Sequence, residues 1–124
     1  MQNIEGAAGS LYITVELRNV TNQACILKGA LRIVALTAQG KKIRAAVRWP
    51  VSEGDIQSGE HAVTVFPARS VRFIIHTLAR TGFPASQVCA DRLRVYLPRA
   101  TPEVAAISAE SCREIEVSGY QAVR

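Results

Sequence analysis

The sequence predicts an all-β, antiparallel protein with the strand spacing of a β-sandwich. About seven or eight short segments with strand-like patterns follow one another at the intervals typical of sandwiches. Between them there is no amphipathic segment of helical period long enough to connect parallel strands. The chain has 124 residues, of which 48% are hydrophobic and 20% are charged. It therefore fits one domain, residues 1–124, with enough apolar material for a single core.

The first part of the chain predicts several strands and a hairpin turn. Leu11–Arg18 alternates strictly between apolar and polar residues, as a half-buried strand does. Ala24–Thr37 is a second apolar run, and Gly29 within it predicts a bend or a restart. Gln39-Gly40 predicts a hairpin turn into a further strand, Lys42–Trp49. Residues 1–10, which precede these strands, are expected to be flexible.

The second part predicts four further strands: Ala62–Phe66, Ser70–Leu78, Arg92–Leu97 and Glu114–Ser118. Ser52–Glu60 and Thr81–Ala90 contain glycine or proline among polar residues and are predicted as loops. The segment Glu103–Glu110 is rich in alanine and follows Pro102, which predicts one or two helical turns there.

Charge and hydropathy exclude two classes of partner. The formal net charge is +5, but the basic residues are spread along the sequence and only 6% of residues are aromatic. A nucleic-acid site would cluster its cations and interleave aromatic side chains for stacking, so we expect no nucleic-acid partner. No stretch reaches the roughly 18 uninterrupted apolar residues of a membrane helix, so we expect no membrane span.

Few residues could carry chemistry, and the histidines and aspartates number two each: His61, His76, Asp55 and Asp91. Cys25 with His76 as a base is arithmetically possible, but no hydrolase motif surrounds either residue. A zinc site made of His76, Cys89 and Cys112 lacks the short ligand pair that anchors such sites. We therefore expect no catalytic residue, no metal and no cofactor, and His76 is expected to be a packed or surface residue.

The three cysteines, Cys25, Cys89 and Cys112, are too far apart for a C-x-x-C motif. A Cys89–Cys112 disulfide is the preferred interpretation, because both residues precede strand-like runs and the bridge would join loops at one end of a sheet. It would contribute about 3 kcal/mol through loop closure. The alternative is two unpaired buried thiols.

A disulfide would imply an oxidising compartment, but residues 1–10 lack the basic and apolar regions of a signal peptide. Either an export signal lies upstream of this sequence, or the protein is cytosolic and the bridge does not form.

Several short segments carry a family resemblance, in this order: Val15–Thr21, Cys25–Gly29, Gln39–Lys41, Val63–Pro67 with Ser70, Cys89, Leu93–Pro98, Cys112 and Ile115–Ser118. Together, from Gly9 to Tyr120, they resemble a bacterial family of domains of unknown function, the one numbered 4232, found in exported proteins and lipoproteins. The resemblance implies an immunoglobulin-like sandwich with paired cysteines and brings no established activity. In two respects this chain departs from the family pattern. Ala68 stands where the family typically has glycine, and no cysteine precedes Cys25. The partner that the resemblance implies for Cys25 is therefore either absent or located upstream of this sequence.

An immunoglobulin-like arrangement would place Arg92–Leu97 between the strand that contains Arg32 and the strand Glu114–Ser118. Arg94 and Tyr96 would then face outward, near Arg32 on one side and near the glutamates of the last strand, Glu114 and Glu116, on the other. One interpretation is a contact face for an anionic partner, with Tyr96 as its anchor. The other is cross-strand ion pairing on a solvated face, which contributes little.

The leading functional hypothesis is a non-enzymatic, exported structural or protein-interaction module of the bacterial cell envelope. The alternative is a binding module for an anionic glycan or small molecule on the basic sheet face. An enzyme is the third and least supported hypothesis. The sequence names neither the protein or glycan partner nor the oligomeric state.

Overall fold

The computed structural model describes residues 2–7, 10–44, 46–49, 62–78, 89–97, 103–112 and 114–123. This part of the chain forms twelve strands and no helix, which confirms the all-β class. The strands are β1 (Gln2–Ala7), β2 (Ser10–Arg18), β3 (Cys25–Lys28), β4 (Arg32–Leu36), β5 (Lys42–Ile43), β6 (Ala46–Arg48), β7 (Ala62–Val65), β8 (Ser70–Leu78), β9 (Cys89–Tyr96), β10 (Glu103–Cys112), β11 (Glu114–Val117) and β12 (Gln121–Val123).

The strands form three sheets. A six-stranded sheet has the order β1-β2-β8-β11-β6, and β12 also pairs with β8. A four-stranded sheet has the order β10-β9-β4-β5, and β3 and β7 form a two-stranded sheet. Among the described pairings only β11–β6 is parallel; the others are antiparallel. In the described segments no helix is long and apolar enough to cross a membrane.

One apolar cluster connects the three sheets. The alternation of β2 and β8 turns every second side chain inward, and Ile13, Val15, Phe73 and Ile75 are almost completely buried as a result. The same cluster takes inward side chains from the other two sheets, among them Ile33, Ala35, Val63, Val65, Leu93, Val95 and Ile107. Burial of one such side chain contributes about 1.5–3 kcal/mol, so this cluster is the main source of stability.

Gly29 separates β3 from β4, where the sequence predicts a bend. Its φ of 100° lies in the region that favours glycine. The hydroxyl of Tyr120, whose side chain is completely buried, donates a hydrogen bond to the Gly29 carbonyl over 2.8 Å. The bend is therefore fixed by a residue near the end of the described chain.

The prediction of helical turns at Glu103–Glu110 is wrong, because this segment belongs to strand β10. It pairs with β9, with two register shifts. Ile107 and Ala109 are buried, while Ala106 and Ser108, which alternate with them, are exposed, and this is the period of a strand. A helix this short is marginal even in alanine-rich sequence, so pairing with β9 and burial of one face decide the structure.

One of the two predicted neighbours of β9 is therefore wrong. β9 lies between β4 and β10 in the four-stranded sheet. The strand that contains Arg32 is its neighbour, as the sequence predicts, but the assignment of Glu114–Ser118 to the other side is wrong. That segment supplies β11, which lies in the six-stranded sheet between β8 and β6.

Other boundaries also differ from the prediction. The segment Lys42–Trp49 forms two strands in different sheets, β5 and β6, instead of one. β9 begins at Cys89, within the predicted loop Thr81–Ala90. Within residues 1–10, expected to be flexible, Gln2–Ala7 pairs with β2. The predicted loop Ser52–Glu60 lies outside the described residues.

Candidate functional site

The four-stranded sheet carries a basic face, which we define by five exposed cationic residues: Arg32, Lys42, Arg44, Arg92 and Arg94. The arginines of β9 point outward because Leu93 and Val95, which alternate with them, are completely buried. The cations are scattered along the sequence. The pairing of β9, β4 and β5 brings four of them to one sheet, and Arg44 directly follows β5.

The register of the strands sets the spacing within the basic face. Arg32 lies opposite Tyr96, and Arg94 lies opposite Val34. Arg32 and Arg94 are therefore diagonal neighbours, whose side chains start roughly 7–8 Å apart. The guanidinium of Arg32 lies over the Tyr96 ring, 4.4 Å from the ring centroid. This cation–π contact stabilises an exposed side chain by about 0.5–1 kcal/mol and orients the guanidinium.

The glutamates that the sequence places beside this face lie in the other sheet. Glu114 and Glu116 belong to β11, and one carboxylate oxygen of Glu116 is 3.6 Å from Arg48. In the four-stranded sheet the acidic side chains that the structure describes are Asp91 and Glu110. Asp91 accepts a hydrogen bond from the Ala38 backbone N–H over 3.1 Å. Because β11 is not a neighbour of β9, Glu114 and Glu116 are not the cross-strand neighbours of the β9 arginines that the sequence predicts.

His76 is a packed residue in a polar row that crosses the six-stranded sheet. Tyr12, His76, Glu116 and Arg48 lie opposite one another on β2, β8, β11 and β6. The ring of Tyr12 stacks on His76 with centroids 4.7 Å apart, and His76 Nδ1–H donates to Glu116 over 3.2 Å. Cys25 lies in the two-stranded sheet, so the structure gives no support to a Cys25–His76 pair.

Cys89 and Cys112 form a disulfide, as the preferred interpretation predicts. They lie directly opposite each other where the β9–β10 ladder ends, with their Cα atoms 4.5 Å apart. The bridge thus joins two adjacent strands of one sheet, and its sulfurs are not available to a zinc site with His76. Cys25 is free and exposed. The described residues contain no group of three or more His, Cys, Asp or Glu side chains that could hold a metal ion; His61 and Asp55 lie outside them.

Asn19 connects three segments, a role that the strand patterns in the sequence do not predict. Its buried side-chain amide donates to the carbonyls of Gln23, over 2.8 Å, and Val65, over 2.9 Å. Its Oδ1 accepts hydrogen bonds from the backbone N–H and the hydroxyl of Thr21. An Asn two residues before Thr in a polar turn is the sequence signal for such a local side-chain bond.

The turn between β7 and β8 is bonded to the same asparagine through the backbone. The Asn19 carbonyl accepts from Ala68, and the Asn19 N–H donates to the Arg69 carbonyl. The Arg69 N–H closes the turn on the Phe66 carbonyl over 3.0 Å, with Pro67 and Ala68 between them. Ala68 has a φ of 65°, so it occupies a conformation that favours glycine.

A family model described as "Domain of unknown function (DUF4232)" matches residues 1–122, nearly the whole chain. The chain belongs to the DUF4232 family. No curated protein and no solved structure matches it. Two of the segments that carry the resemblance, Val15–Thr21 and Val63–Pro67, are joined in this DUF4232 protein by the hydrogen bonds of Asn19. These hydrogen bonds give the two segments a structural role in the fold.

Proposed function

We propose that this DUF4232 protein is a non-enzymatic, exported structural or protein-interaction module of the bacterial cell envelope. Its contact surface is the basic face. The observation that carries the proposal is the group of five exposed cations around the Arg32–Tyr96 stack. The Cys89–Cys112 disulfide supports an oxidising compartment, since such bridges are rare in the cytosol.

The proposed architecture is an immunoglobulin-like sandwich. In that fold the strands called B and E pair in one sheet, while C, F and G pair in the other. The pairs β2–β8 in one sheet and β4–β9–β10 in the other follow this connectivity, and β5 occupies the place of C′. Face-to-face packing predicts NMR contacts between the ring of Phe73 and inward side chains of β9 such as Leu93. Their absence would contradict this architecture.

The chemistry of the face favours an anionic partner. Guanidinium groups bind carboxylates and phosphates through paired, charge-assisted hydrogen bonds, and tyrosine is enriched at protein interfaces. A flat sheet surface fits a protein partner better than a small molecule, which needs a concave site. An anionic glycan or small molecule is the second candidate, because a shallow groove lies between β4 and β5 beside Lys42 and Arg44.

Charge reversal on the basic face tests the proposal. The double variant Arg32→Glu, Arg94→Glu should lose capture of the partner in cross-linking from cell-envelope extracts, or on anionic glycan arrays. Each lost charge-assisted contact should weaken binding by about 1.5–3 kcal/mol, with a smaller effect at high salt. Arg69→Glu, compared with each single substitution Arg32→Glu or Arg94→Glu, reverses one charge in the exposed β7–β8 turn and should leave capture intact.

Thermal unfolding of each variant separates binding from folding. Exposed ion pairs contribute at most about 1 kcal/mol, so the variants should unfold close to the parent protein. Unchanged affinity of the double variant for an identified partner would remove the basic face as the contact surface. The full reading frame tests export, since a signal peptide or lipobox upstream would support it. A catalytic turnover abolished by any single side-chain change would overturn the non-enzymatic assignment.

A further inference from the structure

Strand β3 is an edge strand. One of its sides pairs with β7 from Cys25↔Val65 to Lys28↔Ala62, and in the described segments no strand pairs with its other side. The backbone N–H and C=O groups of an open edge can pair with an additional strand, and peptide-binding domains use such edges in this way. The edge of β3 is thus suited to strand addition.

An apolar groove lies beside this edge. It has a volume of about 200 Å³ and apolar walls formed by Leu17, Leu27, Val65, Val71 and Leu97. We call it the β3 groove. Successive side chains of an added strand would point alternately to its two faces, so every second one would enter the groove. An apolar side chain there would cover these walls.

Two large apolar side chains near this edge are exposed to solvent. Val20, which lines the β3 groove, is 87% exposed. Ile26 is 71% exposed and lies on the other face of β3, because it alternates with the groove residues Cys25 and Leu27. Exposed apolar groups next to an apolar groove are typical of contact surfaces, whereas scattered single ones need no explanation. They add to the area that a bound segment would cover.

The charges around the groove define the occupant further. Arg18 lines the groove, and Lys28 ends β3; both are exposed. None of the described lining residues is acidic. Charge complementarity therefore favours an occupant with carboxylates beside its apolar side chains.

We propose that the β3 groove binds an extended acidic peptide segment by strand addition, at a second contact site separate from the basic face. A peptide fits both features, because its backbone pairs with the edge of β3 while alternate apolar side chains enter the groove. An acyl chain would use the groove alone.

The probe for this proposal is a short synthetic peptide of alternating Asp and Val, labelled with a fluorophore. Binding to the full chain is followed by fluorescence anisotropy and by the alkylation rate of Cys25, which lines the groove. The other two cysteines are bridged and do not react. We expect saturable binding with a Kd below about 1 mM and protection of Cys25.

Matched changes in peptide and protein separate the contributions. Alternate N–H groups of a peptide strand point to the same edge, and only one edge can pair with β3. Methylation of the nitrogens on the edge that faces β3 should therefore abolish binding, and methylation of the other set should not. Lys28→Glu should weaken binding at least about tenfold, because Lys28 alternates with Leu27 and lies on the face that the aspartates of the peptide would share. Lys41→Glu makes the same charge change in the exposed β4–β5 turn and should have no effect.

Four results would overturn the proposal. The first is no binding of the peptide up to about 1 mM, and the second is equal binding of the two peptides that are methylated on opposite backbone edges. The third is equal binding of a peptide of alternating Lys and Val. The fourth is displacement of the peptide by decanoate when methylation of the peptide backbone has no effect on its binding. Protection of Cys25 that rises with protein concentration in the absence of peptide would assign the groove to a second copy of the chain. Because the Arg32 and Arg94 variants are not used here, this site and the basic face can fail independently.

Discussion

Single residues of this protein fix turns whose conformations ordinary sequence patterns do not reveal. Asn19 holds the segment after β2 against β7 and the β7–β8 turn. Ala68 in that turn has a φ of 65°, which costs a residue with a Cβ roughly 1–2 kcal/mol. Ala68 therefore forms this turn at a cost in stability.

Ala68→Gly should stabilise the protein. Relief of the left-handed strain exceeds the entropy that glycine loses on folding, so we expect a gain of up to about 1 kcal/mol. Denaturant unfolding measures it. Ala62→Gly, at an exposed strand position of β7, is the control and should destabilise by about 0.5–1 kcal/mol. A loss at Ala68 equal to that at Ala62 would show that the turn is not strained.

Tyr120 should make stability depend on pH in the alkaline range. Burial raises the pKa of Tyr120 to about 12, whereas an unfolded tyrosine has a pKa near 10. Below about pH 10 Tyr120 is protonated in both the folded and the unfolded state, so its contribution to the unfolding free energy is fully present. Between about pH 10 and 12 only the unfolded chain loses this proton. Stability should therefore fall by up to about 2–3 kcal/mol as the pH rises through this window.

Tyr120→Phe tests both roles of the hydroxyl. At neutral pH the variant should lose about 1–2 kcal/mol, because the Gly29 carbonyl loses its donor. Its unfolding free energy should also lack the alkaline decrease that comes from this residue. Tyr96→Phe, on the basic face, should keep that decrease. If both variants follow the parent protein across the alkaline range, the buried hydroxyl is not its source.

Among the elements, β10 is the strand that hydrophobic alternation in the sequence does not predict. The strands β2 and β8 could be predicted because each buries one face, and strict alternation records that burial in the sequence. In β10 the inward and outward positions both contain small residues, such as Ala109 and Ala106, so alternation carries little signal. Its strand conformation comes from pairing with β9, a contact that no local window contains.

The disulfide at the end of β9 and β10 should stabilise this hairpin and the whole fold. The double variant Cys89→Ala, Cys112→Ala should lose about 3 kcal/mol in unfolding free energy. Cys25→Ala removes an exposed free thiol and should change stability by less than about 0.5 kcal/mol. Mass spectrometry without reduction should find the Cys89 and Cys112 peptides linked. Alkylation of both residues in native, oxidised protein would contradict the pairing.

At the scale of the whole molecule, one local error changed the interpretation of the candidate site. A helix at 103–110 would leave Glu114–Ser118 as the neighbour of β9 and would place the glutamates of that segment beside Arg94. The structure gives that position to β10. The proximity of Arg32 and Tyr96 could be predicted from the sequence. The place of Lys42 and Arg44 on the basic face could not, because it depends on how Lys42–Trp49 divides between two sheets.

The position of the disulfide also bears on the order of events when the chain is first oxidised. Cys89 and Cys112 are separated by 23 positions in the sequence, and Cys25 would have to close a loop about three to four times longer to reach either of them. The longer closures cost about 1 kcal/mol more in chain entropy. Oxidation of an unfolded chain therefore favours the native bridge even before the sheets assemble. A difference of about 1 kcal/mol is roughly a fivefold preference, so most of the chains that oxidise while unfolded retain Cys25 as the free thiol.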